Sequence, residues 1–129
     1  MGVNNMTYTI NKITSSDMAI LAMTCDPIEI NKYSKNKQVD VEAYITVDSD
    51  DLNLWLGFNG QAYKLTAYDS ATTKNMIDID GNPDGFIVTH SFECLHLNIG
   101  GYTFNIYRLE HIKDYSTGDI CIYAYIETE

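Results

Sequence analysis

A chain of 129 residues, 45% of them hydrophobic, is long enough to bury one hydrophobic core, so we expect a single domain over residues 1–129. Eighteen acidic residues against eight lysines and arginines give a formal net charge of −10, which excludes direct nucleic-acid binding through a basic surface and disfavours anionic membranes. The sequence lacks a membrane-length apolar run, and its three widely spaced cysteines indicate reduced thiols in a cytoplasmic protein.

One helix is predicted near the beginning of the chain. Thr14 can cap it, and Asp17 follows three residues later, as in a capping box. Pro27 ends it, because the residue before a proline disfavours the helical region. The apolar residues at helical spacing that would form its buried stripe are Met18, Leu21, Ala22 and Cys25.

Most of the chain after this helix is predicted to form β-strands. Apolar and polar side chains alternate over residues 39–47, which is typical of an antiparallel strand with one face in water. Alternation continues over residues 52–58. Asn59-Gly60 then predicts a two-residue hairpin turn, because both turn residues need a positive φ.

The long apolar run over residues 86–99 changes phase. Its apolar residues stand at even positions as far as Phe92 and at odd positions from Leu95 onward. A phase change predicts a bulge near residues 92–94, or a strand that passes from one sheet to another.

These elements predict a mainly β fold. We expect an antiparallel β sandwich, or an open barrel or meander, with the N-terminal helix at one end or over one face. The alternative is an α+β fold in which one antiparallel sheet is covered by one helix.

The turn around residue 82 carries alternating oxygen ligands, Asp80, Asn82 and Asp84, followed by Gly85. This spacing resembles the first half of an EF-hand calcium loop. Ser91 stands where the loop requires a bidentate glutamate, and the flanking segments are predicted strands. A hairpin turn is the simpler interpretation, and a weak calcium site is the alternative.

His90, Cys94 and His96 share one strand parity. Cys94 and His96 would project about 7 Å apart, close enough to suggest two ligands of a soft metal. His111 would have to come from a neighbouring strand, which the sequence does not place. Hydrogen-bonded histidines on a half-buried face are the simpler interpretation.

The sequence contains no catalytic motif, so we expect a non-enzymatic protein. The remaining feature of the sequence that bears on function is its high content of aromatic residues with polar groups, ten tyrosines and one tryptophan. Tyr107, Tyr123 and Tyr125 lie in strands that look apolar on both faces, and they predict either a second core layer or a binding surface.

We expect an acidic binding protein that docks on a basic, nucleic-acid-handling protein as an inhibitor or decoy. Its small, acidic, motif-free composition is similar to that of phage-encoded DNA mimics and anti-defence proteins. The residues predicted to bind the partner are Asp40, Glu42, Tyr44, Asp48, Asp50 and Trp55. The alternatives are a small-ligand or carbohydrate-binding β domain, with or without calcium, and a structural subunit that forms homo-oligomers through its aromatic face.

Overall fold

The computed structural model describes residues 7–32 and 40–129. This part of the chain is mainly β structure with one short helix, which confirms the predicted fold class. The predicted strand start at Val39 lies outside the described residues. The elements in chain order are β1 (Tyr8–Ile13), α1 (Ser15–Thr24), β2 (Asn31–Lys32), β3 (Glu42–Asp48), β4 (Asp51–Phe58), β5 (Gln61–Ala67), β6 (Ala71–Ile77), β7 (Pro83–Phe92), β8 (Leu95–Ile99), β9 (Tyr102–Asp114) and β10 (Ile120–Thr128).

The strands form two sheets. Sheet A has the order β1-β5-β4-β3, and sheet B has the order β2-β10-β9-β7-β6, with β8 also paired to β9. Neighbouring strands are antiparallel except β2 and β10, which make a two-residue parallel pair. The long strand β9 therefore organises sheet B, because it pairs with three other strands.

The core lies between the two sheets, so the described residues form an open β sandwich. Alternation along β4 points its three leucines and Phe58 toward this core. Phe104, Ile106 and Leu109 of β9 meet them from sheet B.

The helix covers the other face of sheet A. Its predicted capping box is confirmed, since Thr14 and Asp17 exchange side-chain to backbone hydrogen bonds. Met18 and Leu21 are buried against the sheet, whereas Ala22, which was predicted to share their stripe, is exposed. The helix has ten residues, and no helix in the described ranges is long and apolar enough to cross a membrane.

The predicted hairpin turn at Asn59-Gly60 and the predicted interruption near residues 92–94 are both confirmed. Asn59 and Gly60 join β4 to β5 with φ values of 51° and 71°. The break between β7 and β8 falls at Glu93 and Cys94, and Cys94 has a φ of 60°. Because β7 and β8 both pair with β9, the chain stays in sheet B across this break and does not pass to the other sheet, which was the alternative prediction.

Sheet B extends beyond the area that sheet A covers. Ile126 of β10 is buried in the core, but Ile122 and Ile120, on the same face of that strand, are exposed. Phe86 on β7 is exposed as well, and its ring stacks on that of Tyr115. The inner face of sheet B therefore continues past the core as a partly open apolar surface.

Candidate functional site

The six residues predicted to bind a partner do not form one surface. Asp40 and Glu42 are exposed near the beginning of β3, whereas Asp48 and Asp50 are exposed near its end. A strand rises about 3.3 Å per residue, so the two pairs are separated by roughly 20 Å along the strand. The structure therefore places the four predicted acidic residues in two pairs, one at each end of β3.

The expectation that Tyr44 is displayed to a partner is wrong. The side chain is 4% exposed and packs with Met18 and Leu21 in a second small core under α1. Its hydroxyl donates a hydrogen bond to Glu42. That hydrogen bond, together with burial, raises the pKa of Tyr44 to about 12.

Trp55 lies directly across from Tyr44 on the same face of sheet A and is half-buried. Its Nε1 donates a hydrogen bond of 2.8 Å to Thr46 Oγ1, and Lys64 Nζ lies 4.7 Å from the ring centroid. Trp55 is thus held within the sheet, and a cation already covers part of its ring.

Acidic residues do gather at the end of β3. The turn after β3 lies beside the turn after β5, because the Ser70 N–H donates to the Asp50 carbonyl at 3.0 Å. The Asp69 N–H donates to Asp51 Oδ1 at 3.3 Å. The carboxylates of this acidic end are those of Asp48, Asp50, Asp51 and Asp69.

The segment with the calcium-like spacing forms the exposed turn between β6 and β7. Asp78 organises it, because its Oδ1 accepts hydrogen bonds from the N–H groups of Asp80 and Asn82 at 2.9 and 2.8 Å. Across residues 7–32 and 40–129, no three acidic, histidine or cysteine side chains are placed to hold a metal ion together. The calcium site at Asp80, Asn82 and Asp84 remains a prediction, and the contacts that the structure shows are those of a turn.

The histidines are arranged differently from the predicted group. Cys94 is exposed at the strand break, and exposed His96 makes a hydrogen bond with Asn105. His90 is instead buried and lies directly across from His111 on β9. The two rings are 6.1 Å apart between centroids and nearly perpendicular, with an interplanar angle of 79°.

The two histidines line a cavity of about 250 Å³ under the open end of the sandwich. His90 Nε2 lies 3.1 Å from the carbonyl oxygen of Ser49. The Nδ1 atoms of His90 and His111 are both buried and have no hydrogen-bond partner. Burial, followed by the proximity of His90, lowers the pKa of His111. The other residues around this histidine cavity are Val47, Val88, Lys113, Tyr115 and Ile120.

The lowered pKa of His111 predicts a pH-dependent stability. Below pH 6.5, the ordinary pKa of histidine, His111 binds a proton in the unfolded chain. In the folded chain its pKa is lower, so it binds that proton less readily. His111 should therefore not reduce the free energy of unfolding above pH 6.5. As the pH falls from 6.5 toward the pKa of His111 in the folded chain, the free energy of unfolding should decrease. Urea unfolding at a series of pH values measures this effect. His111→Gln should flatten the curve in this window, and a curve that this variant leaves unchanged would contradict the effect of His111.

A second candidate surface lies on the outer face of sheet B. Tyr123 and Tyr125 point away from the core, since they alternate with Ile122, Ala124 and the buried Ile126. The register between β9 and β10 shifts at this point and leaves one extra residue on β9. Tyr107 and Arg108 both reach the outer side as a result. We call the surface formed by Tyr107, Arg108, Tyr123 and Tyr125 the tyrosine face.

The side chains of the tyrosine face contact one another. The rings of Tyr107 and Tyr125 meet edge to face at a centroid distance of 5.0 Å. Arg108 Cζ lies 4.4 Å from the ring centroid of Tyr123, and its Nε donates to Glu110 Oε1 at 2.7 Å. The three tyrosines nevertheless stay 43–49% exposed. The arrangement is therefore an ordered aromatic surface that water reaches.

Sequence reasoning selected Tyr44 and Trp55 as surface aromatics and left these three tyrosines undecided. The strand alternation of Tyr123 and Tyr125 was visible in the sequence. The extra residue that turns Tyr107 outward depends on the pairing of β9 with β10, and the sequence did not show it.

Comparison with models of known protein families, with curated proteins and with solved structures gave no match for this chain.

Proposed function

We propose that this protein is a non-enzymatic binding protein that docks on a basic protein partner through the tyrosine face. The observation that supports this most directly is an ordered group of three half-exposed tyrosines and one arginine on an open sheet surface. Tyrosine and arginine are enriched among the residues that dominate binding energy at protein interfaces.

The internal contacts of the tyrosine face favour binding. Tyr125 is held by the Tyr107 ring and by a hydrogen bond of 2.9 Å from its hydroxyl to Glu127 Oε1. The Arg108 guanidinium is held between Tyr123 and Glu110. Side chains that are already ordered lose less conformational freedom when a partner covers them.

The charge around the tyrosine face favours a basic partner. The tyrosine face contains one cationic side chain, Arg108, and it is surrounded by three acidic ones, Glu93, Glu110 and Glu127. The whole chain carries a net charge of −10. Complementary potentials accelerate association and select partners of opposite charge.

Strongly basic protein surfaces are typical of proteins that bind nucleic acids. A partner of that class would meet carboxylates where it normally meets phosphates, and docking would block access to its nucleic acid. The proposed mode of action is therefore occlusion by an inhibitor or decoy.

A paired capture experiment tests this proposal. The immobilised protein and its Tyr123→Ala/Tyr125→Ala variant would be exposed to lysate of the source cell at about 0.05 M and about 0.5 M salt, and the bound proteins identified by mass spectrometry. We expect a basic protein that the native chain retains at low salt and loses at high salt. The double variant should weaken this retention at least about tenfold, as expected when an interface loses its aromatic anchors.

The matched control is Ile20→Ala/Met23→Ala, which removes two exposed apolar side chains from α1 instead. This variant should retain the partner. Equal loss in both double variants, or retention that salt does not weaken, would contradict docking through the tyrosine face.

A further inference from the structure

The histidine cavity is a second site, distinct from the tyrosine face. His90 is 4% exposed, and its Nδ1 is one of two buried side-chain nitrogen or oxygen atoms in the described residues that have no hydrogen bond. His111 Nδ1 is the other such side-chain atom in residues 7–32 and 40–129. A buried polar atom without a partner is costly, so two of them beside one cavity indicate that something normally completes the pair.

The contact to Ser49 determines the proton position on His90. A carbonyl oxygen only accepts hydrogen bonds, so Nε2 at 3.1 Å must carry the hydrogen in this contact. Neutral His90 therefore has its lone pair on Nδ1. This is the arrangement of a metal-binding histidine, whose second ring nitrogen typically donates to a carbonyl or carboxylate.

The rings lie slightly farther apart than one shared tetrahedral ion requires. With a metal to nitrogen bond of about 2.0–2.1 Å, each ring centre lies roughly 3.2 Å from the metal. Two rings on one tetrahedral ion are then about 5.2 Å apart, and the observed separation is 6.1 Å, so the rings must approach each other by about 0.9 Å when the ion binds.

The charged side chain that lines the cavity, Lys113, opposes a cation there, since its ammonium group also contributes to the lowered pKa of His111. Its Nζ lies 4.6 Å from the ring centroid of Tyr115, which attracts the ammonium group. Burial lowers the pKa of His111, which favours the neutral form of the ring that a metal binds.

We propose that His90 and His111 bind one divalent transition-metal ion of the class that prefers imidazole, such as Zn²⁺, through their Nδ1 atoms. Water completes its coordination in the cavity, because the described residues provide no third histidine, cysteine or carboxylate ligand there. With two protein ligands, the site is weaker than a structural zinc site with four.

Titration calorimetry with Zn²⁺ tests the site directly. The protein would carry serine at Cys25, Cys94 and Cys121, because thiols also bind zinc. We expect one ion per chain, a rise in the melting temperature that a chelator reverses, and loss of the binding in His111→Gln. His96→Gln is the matched control and should keep the binding. Binding that survives His111→Gln, or no binding at all, would overturn the proposal.

Nuclear magnetic resonance on the unsubstituted histidines gives an answer even if His111→Gln fails to fold. Without metal, His90 should show the tautomer with its proton on Nε2. Addition of Co²⁺ should then broaden or shift the ring signals of His90 and His111 ahead of those of His96. Selective effects on His96, or none on the buried pair, would show that the cavity holds water and not a metal ion.

Discussion

Replacement of Phe104 by alanine should lower the free energy of unfolding by about 3–5 kcal/mol, the range for removal of a large buried ring. Phe104 is 1% exposed on β9. Its ring meets that of Phe58, on β4 of the opposite sheet, at a centroid distance of 5.5 Å. The substitution opens a cavity at the contact that joins the two sheets, and urea unfolding measures the loss.

Tyr107→Ala is the matched control for this substitution. It removes another large ring from the same strand, but from a position that is about half exposed. We expect it to cost less than about 1 kcal/mol. Equal losses for the two variants would show that β9 does not face β4 across a buried core.

The second large effect is expected at Gly100, in the turn between β8 and β9. Its φ is 58°, a left-handed conformation that costs other residues about 1–2 kcal/mol. A Cβ built there would lie 3.0 Å from the Phe58 ring and from the Tyr63 hydroxyl. Gly100→Ala should therefore lower the free energy of unfolding by about 2–4 kcal/mol, since steric overlap adds to the backbone strain.

Gly101→Ala separates these two causes. Gly101 also has a positive φ, 86°, but a Cβ there would have no atom within 4 Å. Its replacement should cost only the backbone strain, about 1–2 kcal/mol. Thermal unfolding of both variants measures the difference. If Gly101→Ala lowers the free energy of unfolding as much as Gly100→Ala does, steric overlap with Phe58 is not the reason that Gly100 cannot be replaced.

Local signals in the sequence predicted most of the fold. Two-residue alternation placed the leucines of β4 on the core face, and the pair Asn59-Gly60 located its hairpin. The phase change located the break at Glu93 and Cys94. Each of these signals depends on neighbours within a few residues, so a single sequence is sufficient to read them.

The exposure of each face depends on distant contacts, and here the sequence was less informative. Alternation placed Tyr44 opposite the leucines, but it does not say which part of that face the helix covers. The helix pattern has the same limit, since Ala22 fits the stripe by spacing and is exposed.

Prediction of the candidate sites depends most on the register between neighbouring strands. His90 and His111 meet because β7 and β9 are antiparallel neighbours with these two residues opposite each other. Had the register shifted by one residue, the two rings would point to opposite faces of the sheet. Parity along one strand grouped His90 with Cys94 and His96, which the break after Phe92 separates from it, and parity contains no information about the neighbouring strand.

The short parallel pair between β2 and β10 has a kinetic consequence. It joins Asn31 to Glu127, 96 residues farther along the chain, and β1 likewise pairs with β5 although the helix and three strands lie between them in the sequence. Such distant pairings form only after a large loss of chain entropy, so folding rates fall as they accumulate. We therefore expect the hairpins to form early and the sandwich to close late, with overall folding on the roughly millisecond-to-second scale of all-β proteins.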